Sequence, residues 1–409
     1  MVDKVRRQGF SFDRPAVFLV MLIVSAGLVM VSSASFPLDD DPYHYFVRQL
    51  MFVGIGLALM VFIGLCDIRR LDSPVLVWGL AAISLLLLAL CLVPGVGVEI
   101  NHARRWIRIG PFQGQPSEIA KGVALLFFAY YLAHRGDGAR GFWRGVVPVV
   151  AVASVFAVAI VIEPDLGGAS MIGLLLMVML FLAGARLRVL GAFAMLGAAG
   201  FAAILWHYPY QRARIFAPLH PWVDPTGASY QITNSLIAFG RGGVTGVGVG
   251  NGLQKLFYLP EINSDFILAN LAEELGLIGL WIVLILFGLL VFRAMRLAMR
   301  SREPFVRLVG AGAAALLGLQ VVVNAGVVMC LLPTKGLAFP FMSYGGSSAI
   351  LNFSLVGLIL SVGRASAPRA AHEPAQPWSP WQKRGPSGPE DSCSDARNIY
   401  TSWGSAESE

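Results

Sequence analysis

Ten apolar runs dominate this chain, near residues 15–34, 49–66, 74–93, 116–133, 145–162, 167–184, 188–206, 267–292, 308–331 and 345–363. Each is long enough, or nearly so, to cross a bilayer, which takes about 20 helical residues. Lipid offers the backbone no hydrogen-bonding partner, so a crossing segment must satisfy its N–H and C=O groups as a helix or in a closed barrel. Barrel strands would alternate at every second residue, and these runs do not. The prediction is an all-α polytopic membrane protein of about ten transmembrane helices, with a large extracytoplasmic loop between spans 7 and 8. Composition agrees: 13% of residues are charged and the mean hydropathy is +0.69, whereas a soluble domain is about 25% charged.

An even number of spans puts both termini on one side. That side receives Lys4, Arg6, Arg7 and Arg14, then Arg69 and Arg70, Arg135, Arg140 and Arg144, Arg186 and Arg188, the five arginines between Arg293 and Arg307, and Arg364 and Arg369. Cytoplasmic loops collect Lys and Arg, so the termini are assigned to the cytoplasm. The first run is long for a signal peptide and reads as an uncleaved span. The net charge of +7 is spread over short loops, a topology pattern that argues against nucleic-acid binding. Cys66, Cys91, Cys330 and Cys393 show no metal or disulfide spacing, and the six histidines are scattered. The expected organisation is a cytoplasmic segment 1–14, a membrane domain 15–363 with its large loop at 207–266, and a Pro/Ser-rich tail 364–409 that is disordered and cytoplasmic.

Several outward segments do not read as simple connectors. "NHARRWIRIGPFQGQPSEIAKG" (101–122) puts Arg104, Arg105 and Arg108 on the side where basic residues are scarce. Guanidinium forks suit phosphate or carboxylate, and an anionic lipid headgroup is the alternative use. Ser117 suits an N-cap of the fourth span, while Glu118 and Lys121 share a helix face as an ion pair, a substrate contact or both. In "EPDLGG" (163–168), Asp165 suits a helix N-cap, with a substrate contact as the lesser option. The loop 207–266 carries Arg212, Arg214 and "SYQITNSLIAFG", a candidate amphipathic helix for the membrane surface. Its run "GRGGVTGVGVGNG" lacks the Lys-Ser/Thr of a phosphate loop. Lys335, in a Pro- and Gly-interrupted segment at 331–350, points to an anionic partner.

The stretch "YLPEINSDFILANLAEELG" (258–276) carries four acids into an apolar span. At about 100° per residue they cannot share one helix face. Asp265 after Asn263-Ser264 suits an N-cap. Glu273 and Glu274 lie deeper. A charge at the membrane centre costs about 2.5–3.5 kcal/mol on insertion scales, so they must be paired or protonated; pairing with other spans is expected.

In order and topology, "RRWI…QPSEIAK", "EPDLG", "GLQKLFYLPEINSDFILANLAEELG" and "LPTKGLAFPFMSYGGSS" resemble the signatures of the SEDS family (shape, elongation, division and sporulation proteins), over residues 15–363. "LPTKG" is closer to the division branch than to the elongation branch; His102-Ala103 departs from the expected Gly-Ala. The resemblance implies a peptidoglycan glycosyltransferase that polymerises lipid II outside the cytoplasmic (inner) membrane, at the division septum. It implies a class B penicillin-binding protein (a single-span transpeptidase) and other divisome membrane proteins as partners. It places the family's essential aspartate on Asp265, as general base, and its characteristic glutamate and lysine on Glu118 and Lys121. Arg104, Arg105, Arg212, Arg214 and Lys121 are then candidates to hold the lipid diphosphate, and Lys335 to bind the substrate. No cofactor is evident; a divalent cation could share that task, although no ligand set stands out. A lipid II transporter and a non-catalytic scaffold for the transpeptidase are the competing readings.

Overall fold

The computed structural model describes residues 12–36, 43–100, 103–110, 112–135, 145–207, 209–227, 229–256 and 258–366. Lys4, Arg6, Arg7, His102, Arg140, Arg144, Cys393 and the tail from residue 367 lie outside the described residues.

Each of the ten apolar runs is a helix: α1 (Arg14–Ser35), α2 (His44–Leu65), α3 (Pro74–Cys91), α4 (Pro116–His134), α5 (Val147–Ile162), α6 (Leu166–Leu182), α7 (Leu187–His207), α10 (Ile267–Ala298), α11 (Pro304–Val328) and α12 (Gly346–Ala365). Among the described residues, α1, α2, α3, α10, α11 and α12 are by themselves long and apolar enough to cross a membrane; α5, α6 and α7 are shorter apolar helices. Helix starts follow local chemistry. Proline opens α3, α4 and α11, where its missing N–H has no intrahelical partner to lose. The carboxylates of Asp13 and Asp165 accept from Ala16 N at 3.0 Å and Gly168 N at 2.8 Å, capping α1 and α6. Two other expected caps are not caps. Ser117 lies inside the first turn of α4, behind Gln115 and Pro116. Asp265 precedes Phe266, the residue that starts α10 without a side-chain cap. The amides of Ser264 and Phe266 both bond to Glu261 O, winding 261–266 into a turn that separates Asp265 from the helix.

A small sheet departs from the all-α expectation. Strands β1 (Gly97–Ile100), β2 (Ala103–Ile109) and β3 (Phe112–Gly114) form an antiparallel sheet in that order, with Val98 opposite Trp106 and Arg108 opposite Gln113. Its central strand, "ARRWIRI", carries the aromatic and β-branched residues Trp106, Ile107 and Ile109 that favour strands.

The bundle is organised around α11 and α12, whose membrane windows are 67% buried, against 28% for α2, α3 and α10. Phe127, Phe128, Phe156, Phe287, Phe339 and Phe353 fill its core. The large loop folds into α8 (Pro209–Phe216), α9 (Tyr230–Gly242) and a glycine-rich run. One face of α9 packs on the bundle. Ile232, Ser235 and Ala238 are buried, and Ser235 Oγ donates to Val328 O at 2.7 Å, seating α9 on the bundle.

The glycine-rich run splints a broken helix. Gly276, at φ 67° and ψ −168°, interrupts α10. The carbonyls of Glu273 and Glu274 accept from Val247 N and Gly248 N, at 3.1 and 3.0 Å, while the amides of Leu277 and Ile278 donate to Gly243 O and Val244 O, at 3.0 and 3.2 Å. Irregular backbone at membrane depth is tolerated when protein satisfies it in this way. A Cβ on Gly246 (φ 82°) would stand 2.2 Å from Glu274 O, so the approach requires glycine.

Candidate active site

The N-terminal ends of α4, α6 and α10, the C-terminal end of α5, the small sheet and the segment after α11 converge on a cluster of carboxylates. Strand β2 locks the α5–α6 turn. Arg105 Nε donates to Glu163 O at 2.9 Å and its Nη2 to Pro164 O at 2.5 Å. Within that turn Asp165 receives Ser117 Oγ at 3.2 Å besides its capping bond. Glu163 is fully buried, and neither carboxyl oxygen has a partner among the described residues. Burial, reinforced by Asp165 and opposed by Arg105, pushes its carboxyl up to about 8.

On α4, buried Lys121 donates to Glu118 Oε1 at 2.7 Å, and Glu118 Oε2 is unpartnered among the described residues. Lys335 donates to Ser170 Oγ on α6 at 3.2 Å, with its ammonium 5.1 Å from the Phe201 ring centroid on α7. Burial lowers the Lys335 pKa, and Asp165 opposes the shift.

Asp265 faces this cluster. Protein surrounds it, yet its side chain keeps some accessible surface. Among the described residues no hydrogen bond reaches its carboxylate. Burial first, then the charges of Glu261, Asp165 and Glu118 with Arg105 opposing, push its carboxyl up to about 7. The segment holding Lys335 closes over it: a Cβ on Gly336 would stand 3.2 Å from Asp265 Oδ2. The fold therefore gathers Asp265, Arg105, Glu118, Lys121 and Lys335, together with Asp165, Glu163 and Ser170. Ser170 and Gly336 had no local sequence signal, because their relevance lies in contacts across the chain.

Other predicted residues lie elsewhere. Arg104 pairs with Glu99 across the exposed sheet at 3.2 Å. Arg212 is exposed on α8 and Arg214 partly buried there; neither charge is among those acting on Asp265. Glu273 accepts from Leu253 N at 2.9 Å, Gln254 N at 3.1 Å and Arg241 Nε at 3.2 Å. Glu274 accepts from Ser33 Oγ of α1 at 2.6 Å and from Lys255 Nζ at 2.7 Å. Among the described residues no three His, Cys, Asp or Glu side chains converge to hold a metal ion. A nearly apolar cavity of about 810 Å³ lies between α2, α3, α4 and α12, bordered by Ile119, Ser347 and Leu358.

The family model described as "Cell cycle protein", covering FtsW, RodA and SpoVE, matches residues 14–367. Stage V sporulation protein E of Bacillus subtilis strain 168 is 40% identical over 363 residues, covering 87% of this chain and 98% of that protein. The probable peptidoglycan glycosyltransferase FtsW of Nitrosococcus halophilus is 41% identical over 369 residues, covering 87% and 93%. Among solved structures, a chain from a peptidoglycan synthase complex that coordinates polymerization and crosslinking superposes with a TM-score of 0.73 at 34% identity, covering 88% of this chain and 100% of that one. The rod shape determining protein RodA of Thermus thermophilus gives 0.66 at 31% identity, covering 88% and 99%.

Proposed function

Because this chain belongs to the FtsW, RodA and SpoVE family of cell cycle proteins, we propose that it is a multi-pass membrane glycosyltransferase that polymerises peptidoglycan, with Asp265 as its general base. The substrate is lipid II, presented at the outer face of the cytoplasmic membrane. Asp265 takes the proton from an acceptor sugar hydroxyl. That oxygen bonds to the anomeric carbon of the donor glycan, whose bond to the undecaprenyl diphosphate breaks with inversion. The lipid diphosphate leaves with the electron pair.

The observation that carries this reading is the state of Asp265: an accessible carboxylate with no hydrogen bond among the described residues, pushed up to about 7 by burial and neighbouring acids. A base works best when its pKa lies near the working pH. Lys335, on the segment that closes over Asp265, and Arg105 are assigned to the developing diphosphate charge. Glu118 and Lys121 line the approach as a pair. Arg104, Arg212 and Arg214 take the lesser role of drawing the anionic substrate toward the mouth. The apolar cavity between α2 and α4 suits a lipid tail.

The partner is a single-span transpeptidase, a class B penicillin-binding protein, a reading supported by the likeness to a chain from a synthase complex. Similarity to FtsW proteins supports a place at the division septum, and the loop arginines support cytoplasmic termini. The test is polymerisation of fluorescent lipid II by the purified full-length chain with its transpeptidase. Asp265→Ala should abolish glycan strands while leaving fold and partner binding intact; strands of wild-type yield would overturn the base assignment.

A further inference from the structure

The peptide carrying Asp265 is held from outside its own helix. Three successive carbonyls are engaged by residues from α11 and the segment that follows it. Asn263 O accepts from Tyr344 N at 2.8 Å, Ser264 O from Ser343 Oγ at 2.5 Å, and Asp265 O from Asn324 Nδ2 at 2.9 Å. The same Asn324 Nδ2 donates to Leu337 O at 2.5 Å. Leu337 N in turn bonds Lys335 O at 2.9 Å, closing a tight turn whose middle residue, Gly336, faces the Asp265 carboxylate.

We infer that Asn324 is a positioning residue for Asp265: its amide staples the peptide bearing that carboxylate to the 335–337 turn and so fixes where the carboxylate stands against Gly336 and Lys335. The inference rests on reading Asp265 as the general base. The chemistry of the position is specific. One nitrogen carrying two hydrogens serves two carbonyls, which a hydroxyl or an ionised carboxylate cannot do. The amide can face only one way, since rotating it would set Oδ1 against both carbonyl oxygens. Asn324 is buried at 1% exposure, and its Oδ1 has no partner among the described residues. Its two donor bonds are therefore the side chain's hydrogen bonds among the described residues. Asn324 does not touch the carboxylate; it acts through the backbone, and Ser343 provides the neighbouring anchor.

The experiment uses the full-length chain with its transpeptidase and lipid II, comparing Asn324→Ala, Ser343→Ala and Asp265→Ala. Misplacing a reacting group by about 1 Å costs on the order of 100-fold. Asn324→Ala is expected to lower kcat by about 10- to 100-fold while KM stays within about threefold. The acid limb of the pH–rate profile should move to lower pH, because a released carboxylate gains water. Glu261, Asp165, Glu118 and Arg105, the charges that act on Asp265, are unchanged in these variants, so the movement reports the carboxylate's own relocation. A folded Asn324→Ala protein with unaltered kcat and acid limb overturns the inference. So does a loss of rate with an unmoved limb and a parallel rise in KM, which is the signature of general structural damage. If Asn324→Ala fails to fold, Ser343→Ala carries the test, with the same changes expected at smaller size and their absence overturning the inference. If Asp265→Ala retains polymerisation, the base reading itself fails; if it is inactive while folded Asn324→Ala and Ser343→Ala behave as wild type, only the positioning role fails.

Discussion

Two groups of carboxylates stand two turns apart around the start of α10, and they are treated in opposite ways. Glu273 and Glu274 are fully buried and fully answered, by Arg241 and two amides in one case and by Lys255 and Ser33 in the other. The side-chain carboxyl groups of Asp265 and Glu163 and one carboxyl oxygen of Glu118 have no hydrogen-bonding partner among the described residues, although acids crowd them. A buried charge is expensive unless paired. The deeper pair meets that cost locally and so holds the broken helix to α1 and the glycine-rich run. The outer cluster leaves it unmet, and the consequence is a carboxylate poised near neutrality.

Substitutions can break this contrast. The largest effect expected is on rate: Asp265→Asn should lower polymerisation by about 10²–10⁴-fold with a thermal midpoint equal to or above wild type. Glu274→Ala should do the reverse, costing about 3–5 kcal/mol of stability because Lys255 is left buried without its counter-charge. A Glu274→Ala protein of wild-type stability would erase the distinction. Gly246→Ala comes next. Its Cβ would collide with Glu274 O at the splint, and a loss of about 1–3 kcal/mol is expected in denaturation of the purified protein.

Proton linkage sharpens the same contrast. Burial raises Asp265 from 3.8 to about 7 and Glu163 from 4.5 to about 8. The folded state therefore holds more protons than the unfolded chain. The penalty for ionising these groups is absent below their ordinary values, grows as pH rises, and is complete above the raised ones. Melting curves should show stability falling across that window, and Asp265→Asn and Glu163→Gln should each flatten the fall. The smallest effect belongs to Arg104→Ala. Its pair with Glu99 is half exposed, so a stability change below about 1 kcal/mol is expected; a larger one would give that strand pair a structural weight its exposure denies.

Much of the fold was legible because the signals are local. Hydropathy located every long helix, and proline or aspartate marked several starts. The N-cap expected at Asp265 failed because Glu261 adopts φ 57° and its carbonyl gathers the amides of Ser264 and Phe266, a turn that the cap-forming residue types alone do not report. The glycine-rich run looked like a failed phosphate loop, and its partner is a helix break some thirty residues on.

The sequence by itself determined that this is a membrane bundle, where its helices run, and, through motif resemblance, which aspartate to test. Hydrophobic length and helix-start chemistry act over a few residues, so they survive in the linear order. Only the tertiary structure decided which charges are compensated. Glu274 meets Ser33 across 241 positions of chain, and Asp265 O meets Asn324 across 59. Whether a carboxylate is neutralised or left poised depends on which distant groups arrive beside it, a property that no local window of the chain contains.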